Sequence, residues 1–218
     1  GQDRLAQLVA IALRRRLHGP LLSDRGMAGL ADTVTPQGVV AICTAVDVGL
    51  EQALELEPRL VVCCVQVRDP GNAGTVIRCA DAFGAGAVVL SVGSVDAHNS
   101  KSVRASAGSL FHLPLVQGVE LDAAVDAFHA RGMQVLAADG SGDADLDELA
   151  LAGELAQPTA WLMGNEAWGL PPEHARLADR VVRVPIYGQA ESLNLSTAAA
   201  VCLYATASAQ RHLRGPGR

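Results

Sequence analysis

The chain has 218 residues, half of them hydrophobic, only 3% aromatic, with a net charge of −6. That length suits one domain with a small module beside it; the apolar runs are too short to span a membrane, and the acidic balance argues against a nucleic-acid-binding face covering the whole surface. Five cysteines, Cys43, Cys63, Cys64, Cys79 and Cys202, form an odd set without a C-x-x-C, and the six histidines are scattered, so the reading is buried thiols in a reducing cytoplasm and no zinc frame.

Leu5, Leu8, Val9, Ala12 and Leu13 recur at helical spacing over 2–17, and Arg14, Arg15 and Arg16 end that segment. Ser23 and Asp24 predict the cap of a short second helix reaching Leu30. A turn-rich link from Thr33 to Gly38 then leads into a predicted strand at 39–42. This stretch is too small for an independent core. It reads as the tail of a small α/β module or as an N-terminal extension. The chain opens at Gly1 instead of Met, directly in a helical pattern, so it is expected to begin partway into a longer protein.

From Leu60 the pattern becomes regular. Strands are predicted at 60–67, 85–92, 111–116, 133–138, 159–163 and 181–186. Helices are predicted at 75–83, 101–107, 122–131 and 145–151, with a short one after Pro171 and a long one entered near Glu191. Apolar strands alternating with helices imply a parallel sheet covered on both faces. Such sheets bind ligands at the C-terminal ends of their strands.

Three loops fall at those ends. The first, residues 68–74, lacks both a G-x-G-x-x-G and the lysine of a phosphate loop. It sets Asn72 in the loop and Arg78 one turn into the next helix. Arg78 is either a surface residue paired with Asp81 or, with Val76, Ile77, Cys79 and Ala80 around it, a partly enclosed functional group. Gly74 permits close backbone approach. The second loop, residues 138–143, reads as an exposed turn, because Asp139, Asp143 and Asp145 repel phosphate. In the third, a strand runs straight into Gly164-Asn165-Glu166, with Gly169 three residues on. Turn chemistry does not call for Glu166, so it is either a solvated carboxylate or a functional one.

The last strand ends Val184-Pro185-Ile186, and the helix after it opens with Glu191, Ser192, Asn194, Ser196 and Thr197. One or two such side chains suffice to cap a helix. Five in seven fit a capped helix end that also faces a ligand; a well-capped core helix is the alternative. The alanine-rich body behind them suits burial. Part of the positive charge is clustered: the three arginines Arg14, Arg15 and Arg16, Lys101 (the only lysine) with Arg104, and Arg211, Arg214 and Arg218.

Taken together, these segments resemble the SpoU/TrmH family of RNA ribose methyltransferases in the SPOUT superfamily. Asn72, Gly74 and Arg78 match its first motif. Residues 163–170, M-G-N-E-A-W-G-L, match the second, and Val184-Pro185-Ile186 with Glu191 to Ser196 match the third. Residues 101–108 look like the family's basic loop, and the match runs from about Leu60 to Gln210. Residues 33–41 resemble the junction after the family's small N-terminal RNA-binding module.

The resemblance implies an α/β, parallel-sheet SPOUT fold with a C-terminal deep trefoil knot. Residues 1–46 would be the remnant of the small N-terminal α/β RNA-binding module with its linker, and 47–218 the methyltransferase domain. S-adenosylmethionine would lie in the knot cleft, surrounded largely by backbone near Leu162, Met163, Gly164, Asn165, Val184, Pro185, Ile186, Leu193, Asn194 and Ser196, with any side chain at Gly164 entering the adenosine space. The reaction implied is attack of a ribose 2'-hydroxyl of RNA on the donor methyl, with no metal. The RNA expected is 23S ribosomal RNA, with tRNA, or a catalytically silent RNA-binding protein on the same fold, as alternatives. Arg78, Asn72, Glu166, Ser192 and Asn194 would carry the chemistry. Family proposals make Arg78 the base, but a guanidinium deprotonates only above about pH 12, so a two-pronged grip on an RNA phosphate is the reading taken. Asn72, Ser192 and Asn194 would orient the ribose and Arg78, Glu166 would hold Arg78 or Asn72, and Lys101 and Arg104 would bind phosphates. Family members are homodimers, and Ala198, Ala199, Ala205 and Ala207 would leave room for a partner helix.

Overall fold

A computed structural model describes residues 2–31, 33 and 35–214. Val34 of the predicted link and Arg218 of the C-terminal arginine cluster lie outside the described residues. The chain divides into two compact units, Gly1–Ala45 and Val46–Arg218.

The first unit holds α1 (Gln2–Arg14) and α2 (Asp24–Leu30). Ser23 caps α2 as expected, its hydroxyl accepting from the Gly26 N–H at 3.2 Å. The strand expected at 39–42 does not form: Val39, Val40 and Ile42 are exposed. An extended segment needs a neighbour to take its N–H and C=O groups, and hydrophobicity alone does not supply one. None of the unit's described residues is buried, and Leu8, Val9, Ile11 and Leu13 of α1 stay exposed.

The second unit begins with a helix the sequence pattern did not reveal, α3 (Leu50–Leu54). Then come β1 (Leu60–Cys64), α4 (Pro70–Phe83), β2 (Ala87–Ser91), α5 (Ser100–Ser106), β3 (Leu115–Val119), α6 (Leu121–Ala130) and β4 (Gln134–Ala138). The chain closes with β5 (Ala144–Asp145), α7 (Leu146–Leu151), β6 (Thr159–Met163), α8 (Pro172–Ala175), β7 (Arg180–Arg183) and α9 (Leu195–Arg214). The strands form one parallel sheet in the order β3-β2-β1-β6-β4-β7-β5.

Every residue of β1, β2 and β6 is buried. Side chains alternate between the two faces of a strand, so each face builds its own core. Val62, Cys64, Leu90, Trp161 and Met163 pack on one side with Ile77 of α4 and Leu203 of α9. Val61, Cys63, Val89 and Leu162 pack on the other with Phe128 of α6 and Leu54 of α3. Apolar surroundings disfavour a thiolate, and burial pushes the Cys64 and Cys202 thiols up to about 12.

Two helix contacts position the site. α4 lies hard against α5: a Cβ at Gly74 would run into the Ser102 carbonyl, and would stand 2.7 Å from Ala105 Cβ. α9 buries a stripe of Ala199, Cys202, Leu203, Thr206, Ala207 and Gln210, the spacing of one helix face. Trp161 Nε1 donates to Thr206 Oγ1 at 2.9 Å, and Gln210 Nε2 donates to the carbonyls of Arg59 and Gln157, each at 2.8 Å. Ala199 and Ala207 therefore fill this chain's own core, and the expectation that they leave room for a partner helix does not hold for them. Among the described residues of α9, the large apolar side chains Val201 and Tyr204 are left exposed.

Candidate active site

β1 and β6 are neighbours with Cys64 opposite Met163, and Ala138 at the end of β4 lies opposite Met163 and Val182. Four strand ends thus deliver four loops to one edge of the sheet. The loop after β1 turns directly into α4, which begins at Pro70 and not at Thr75. Asp69 caps it, its carboxylate accepting from the Asn72 N–H at 2.9 Å, with Pro70 at the first helical position, where no N–H is needed. Asn72 accordingly sits in the first turn of α4.

Glu166 ties this loop to the one after β6. Its Oε1 accepts from the Asp69 N–H and from Asn72 Nδ2, both at 3.2 Å, and its Oε2 accepts from the Arg68 N–H at 3.3 Å. A carboxylate with several acceptor sites suits three such donors. Asn72 Oδ1 in turn accepts from Asn194 Nδ2 at 3.2 Å. Asn194 Oδ1 accepts from the Ser196 N–H at 2.9 Å, the Ser196 hydroxyl at 2.7 Å and the Thr197 N–H at 3.4 Å. One polar chain therefore runs from Glu166 through Asn72 to the N-terminus of α9.

The loop after β6 is itself a closed turn. The Asn165 and Gly169 backbones exchange hydrogen bonds at 2.8 and 2.9 Å, and Asn165 Oδ1 accepts from the Ala167 N–H. Asn165 Nδ2 donates to the Gln66 carbonyl at 2.6 Å. Gln66 has φ +53°, a left-handed conformation uncommon outside glycine, and its N–H is held by Ser91 Oγ. A Cβ at Gly164 would lie 2.5 to 2.7 Å from the backbone of Gly169 and Leu170. Beside the expected closeness to ligand space, the lack of a side chain here permits the loop to fold back on itself.

Beside the polar chain opens a cleft of about 610 Å³. Gly164, Asn165, Glu166, Val184, Pro185, Ile186, Ser192 and Leu193 line it, as do Asp139, Gly140, Arg183 and Glu191. The loop after β4, read from sequence as a mere exposed turn, is thus part of the wall. Burial pushes the Asp139 carboxyl up, but the Ser141 hydroxyl and the N–H groups of Ser141 and Leu170 more than offset it, leaving it below its ordinary range. Arg183 donates to the carbonyls of Gly142 and Asp143 and pairs with Asp145 at 3.2 Å, which pins the acidic loop to β7.

Residues 59–204 match the SpoU rRNA Methylase family. The chain belongs to that family. It is 37% identical over 195 residues to 23S rRNA (guanosine(2553)-2'-O)-methyltransferase RlmP of Bacillus subtilis (strain 168), covering 89% of this chain and 72% of that protein. It is also 37% identical over 175 residues to a 23S rRNA (uridine(2479)-2'-O)-methyltransferase of Streptomyces viridochromogenes, covering 78% of this chain and 59% of that one. Among solved structures, an AdoMet-bound rRNA methyltransferase from Sinorhizobium meliloti is 32% identical with a TM-score of 0.83, covering 97% of this chain and 78% of the other. The SpoU methyltransferase AviRb of Streptomyces viridochromogenes in complex with AdoMet is 29% identical with a TM-score of 0.76, covering 96% of this chain and 79% of that one.

The SpoU motif residues divide into three groups. Asn72, Glu166 and Asn194 are joined by hydrogen bonds. Ser192 lines the cleft and makes no hydrogen bond among the described residues. Arg78 is exposed on α4 and meets no carboxylate among the described residues; Asp81, its expected partner, pairs with His112 at 2.8 Å instead. Of the expected donor contacts, Leu162 and Met163 are fully buried within β6, and Asn194 and Ser196 belong to the helix cap. Lys101 Nζ pairs with Asp69 at 2.7 Å. The Lys101 ammonium first, then the Asn72 N–H, hold the Asp69 carboxyl below its usual value. Arg104 stands on the same short helix α5 and is exposed. The sequence reading missed the Asp139 loop, Gln66 and the exposed pair Arg68 and Trp168. The second tryptophan of the chain was the available signal, because nothing in the turn around it requires an indole.

Proposed function

We propose that this SpoU-family chain is an S-adenosylmethionine-dependent methyltransferase acting on a ribose 2'-hydroxyl of RNA, with 23S ribosomal RNA in the cytoplasm as its substrate. The observation that carries the reading is the Glu166–Asn72–Asn194 chain on the rim of the cleft. It joins all three family motifs at one point, and relatives at 37% identity carry that activity in their names.

The cleft suits the donor. Its volume is ordinary for a small-molecule site. Val184, Pro185, Ile186 and Leu193 offer an apolar wall for a purine, and Asp139, Glu166 and Glu191 give a cationic molecule acidic company. S-adenosylmethionine supplies an activated methyl group. The protein's task is to place one hydroxyl in line with it and ease loss of the proton, since an un-ionised hydroxyl is a weak nucleophile. Asn72 is fixed from both sides and keeps a rigid amide at the rim. Ser192, with its hydroxyl uncommitted, is placed to orient the ribose. Arg78 offers a planar two-pronged grip for the neighbouring phosphate. Lys101 and Arg104 on α5 extend that positive edge for the RNA backbone.

In this reading the segment from β7 to α9 crosses back over the ends of β4 and β6 to reach α4, as the family's trefoil knot requires. The protein acts as a homodimer through α4 and α9, with Tyr204, edge-on to Phe83 at 5.6 Å, and Val201 at the contact. Residues 1–46 serve as linker and RNA-binding extension.

The test is transfer of labelled methyl from S-adenosylmethionine to unmodified 23S rRNA transcript, followed by mapping of the 2'-O-methyl site in RNA from cells with and without the gene. Label on rRNA that disappears in Glu166→Ala supports the reading. Transfer to tRNA alone would move the target, and donor binding without transfer to either RNA would overturn the enzymatic reading.

A further inference from the structure

The loops after β1 and β6 are joined a second time, outside the Glu166 junction. The Arg68 guanidinium lies over the Trp168 ring, its Cζ 5.2 Å from the ring centroid. Both side chains are exposed, Trp168 at 48%. The chain has two tryptophans, and the other, Trp161, is wholly buried. An indole on the surface of a protein with 3% aromatic residues therefore needs a reason.

Local folding does not provide it. The turn is already closed by Asn165, Gly169 and the Asn165 side chain, and position 168 supplies no hydrogen bond to that closure. Nor does charge pairing explain Arg68, whose guanidinium meets no carboxylate among the described residues. What the two side chains make is a flat, cationic, π-faced surface on a rigid turn, two residues from Glu166. We propose that Arg68 and Trp168 form a stacking platform for an unpaired RNA base adjacent to the ribose being methylated. Bases stack on aromatic rings and on guanidinium planes, sequence-tolerantly, because every base has a π-face. A preformed platform loses little conformational freedom on binding. The guanidinium adds attraction for the phosphate chain that carries the base.

The platform is a positioning element and rests on the RNA methyltransferase reading, but its test is separable. Trp168 is the only exposed indole, so quenching of tryptophan emission by a mixed-sequence single-stranded RNA 12-mer reads this surface directly. We expect quenching in the wild type, and an RNA affinity about tenfold weaker in Trp168→Ala. Trp168→Phe should stay within about threefold of wild type. In the transfer assay Trp168→Ala should raise KM for the 23S transcript, with kcat at saturating RNA and affinity for S-adenosylmethionine nearly unchanged. RNA that binds without changing the emission, or a folded Trp168→Ala with wild-type RNA affinity, would overturn the platform even if methyl transfer proceeds. Emission that shifts on dilution of the protein without RNA would instead assign the surface to a second copy of the chain. A wild type that transfers no methyl yet shows the quenching would sink the methyltransferase reading, and with it the platform's place beside a target ribose, while keeping Arg68 and Trp168 as a stacking surface for RNA.

Discussion

Asn194 and Asn72, 122 positions apart in the chain, meet amide to amide, with Asn194 Nδ2 donating to Asn72 Oδ1 at 3.2 Å. Asn194 performs two jobs with two atoms, because its Oδ1 caps α9. The jobs can be separated. Asn194→Asp keeps an acceptor for the cap, where a carboxylate is also favoured by the helix dipole, but cannot donate to Asn72. We expect its stability to stay within about 0.5 kcal/mol of wild type while methyl transfer falls at least about tenfold. Asn194→Ala should lose the cap as well, about 1 kcal/mol. Denaturant melts beside single-turnover rates check both, and wild-type turnover in Asn194→Asp would show the contact between the amides to be dispensable.

Gly164→Ala should destabilise the protein by about 1–3 kcal/mol, the usual cost of forcing an extra group into a packed site. The Cβ meets backbone at 2.5 Å, and backbone cannot swing aside as a side chain can. The denaturant midpoint should drop at constant slope, with donor affinity falling as the loop shifts. An unchanged midpoint would contradict the geometry.

Arg78 gives the opposite pattern. It is exposed and meets no carboxylate among the described residues, so Arg78→Ala should change stability by no more than about 0.5 kcal/mol, as surface substitutions do. Donor affinity should hold, while single-turnover transfer falls by two or more orders of magnitude if Arg78 grips the phosphate beside the target ribose. Arg78→Lys should rescue little, since a point charge does not reproduce a planar fork. A lysine variant within about threefold of wild type would remove the two-pronged role.

Asp69 predicts a pH dependence. Its folded pKa lies below its ordinary 3.8, chiefly through Lys101. The charged form therefore contributes stability that is present above 3.8 and is lost as pH falls through the lowered folded value. Asp69→Asn keeps a good helix cap and removes only the charge. The melting-temperature gap between wild type and Asp69→Asn should be steady near neutrality and close in strong acid. A gap that stays constant throughout would show that the Lys101 pair contributes nothing.

Much of this was legible in the chain. The strand expected at 159–163 forms with those bounds as β6, with Pro158 before it and Gly164 after it. The parallel sheet followed from strands too apolar to have a wet face. The start of α4 differs from the expected Thr75 because Asp69-Pro70-Gly71 satisfies both a turn and a capped helix start, and the bonds from the Asn72 N–H to the Asp69 carboxylate and from the Ala73 N–H to the Asp69 carbonyl distinguish them. The loop at Asp139 reads as an exposed turn on its charge and its glycine spacing. Its role depends on β4 lying between β6 and β7, and strand order leaves no trace in local periodicity. The strand expected at 39–42 fails for the converse reason, since its residues pair with no strand among the described residues.

The single Glu166 side chain belongs both to the cleft wall and to the support of Asn72. A ligand that recruited this carboxylate would do so in competition with the Asn72 amide and two backbone N–H groups. Filling the cleft and setting the amide are then one equilibrium. Such coupling is reciprocal: whatever the donor does to the affinity for RNA, RNA must do in equal measure to the affinity for the donor. In the proposed reading the occupant of the cleft is the donor, and the spent donor, which has lost its methyl and its sulfonium charge, is the form on which the acidic wall has the weaker hold.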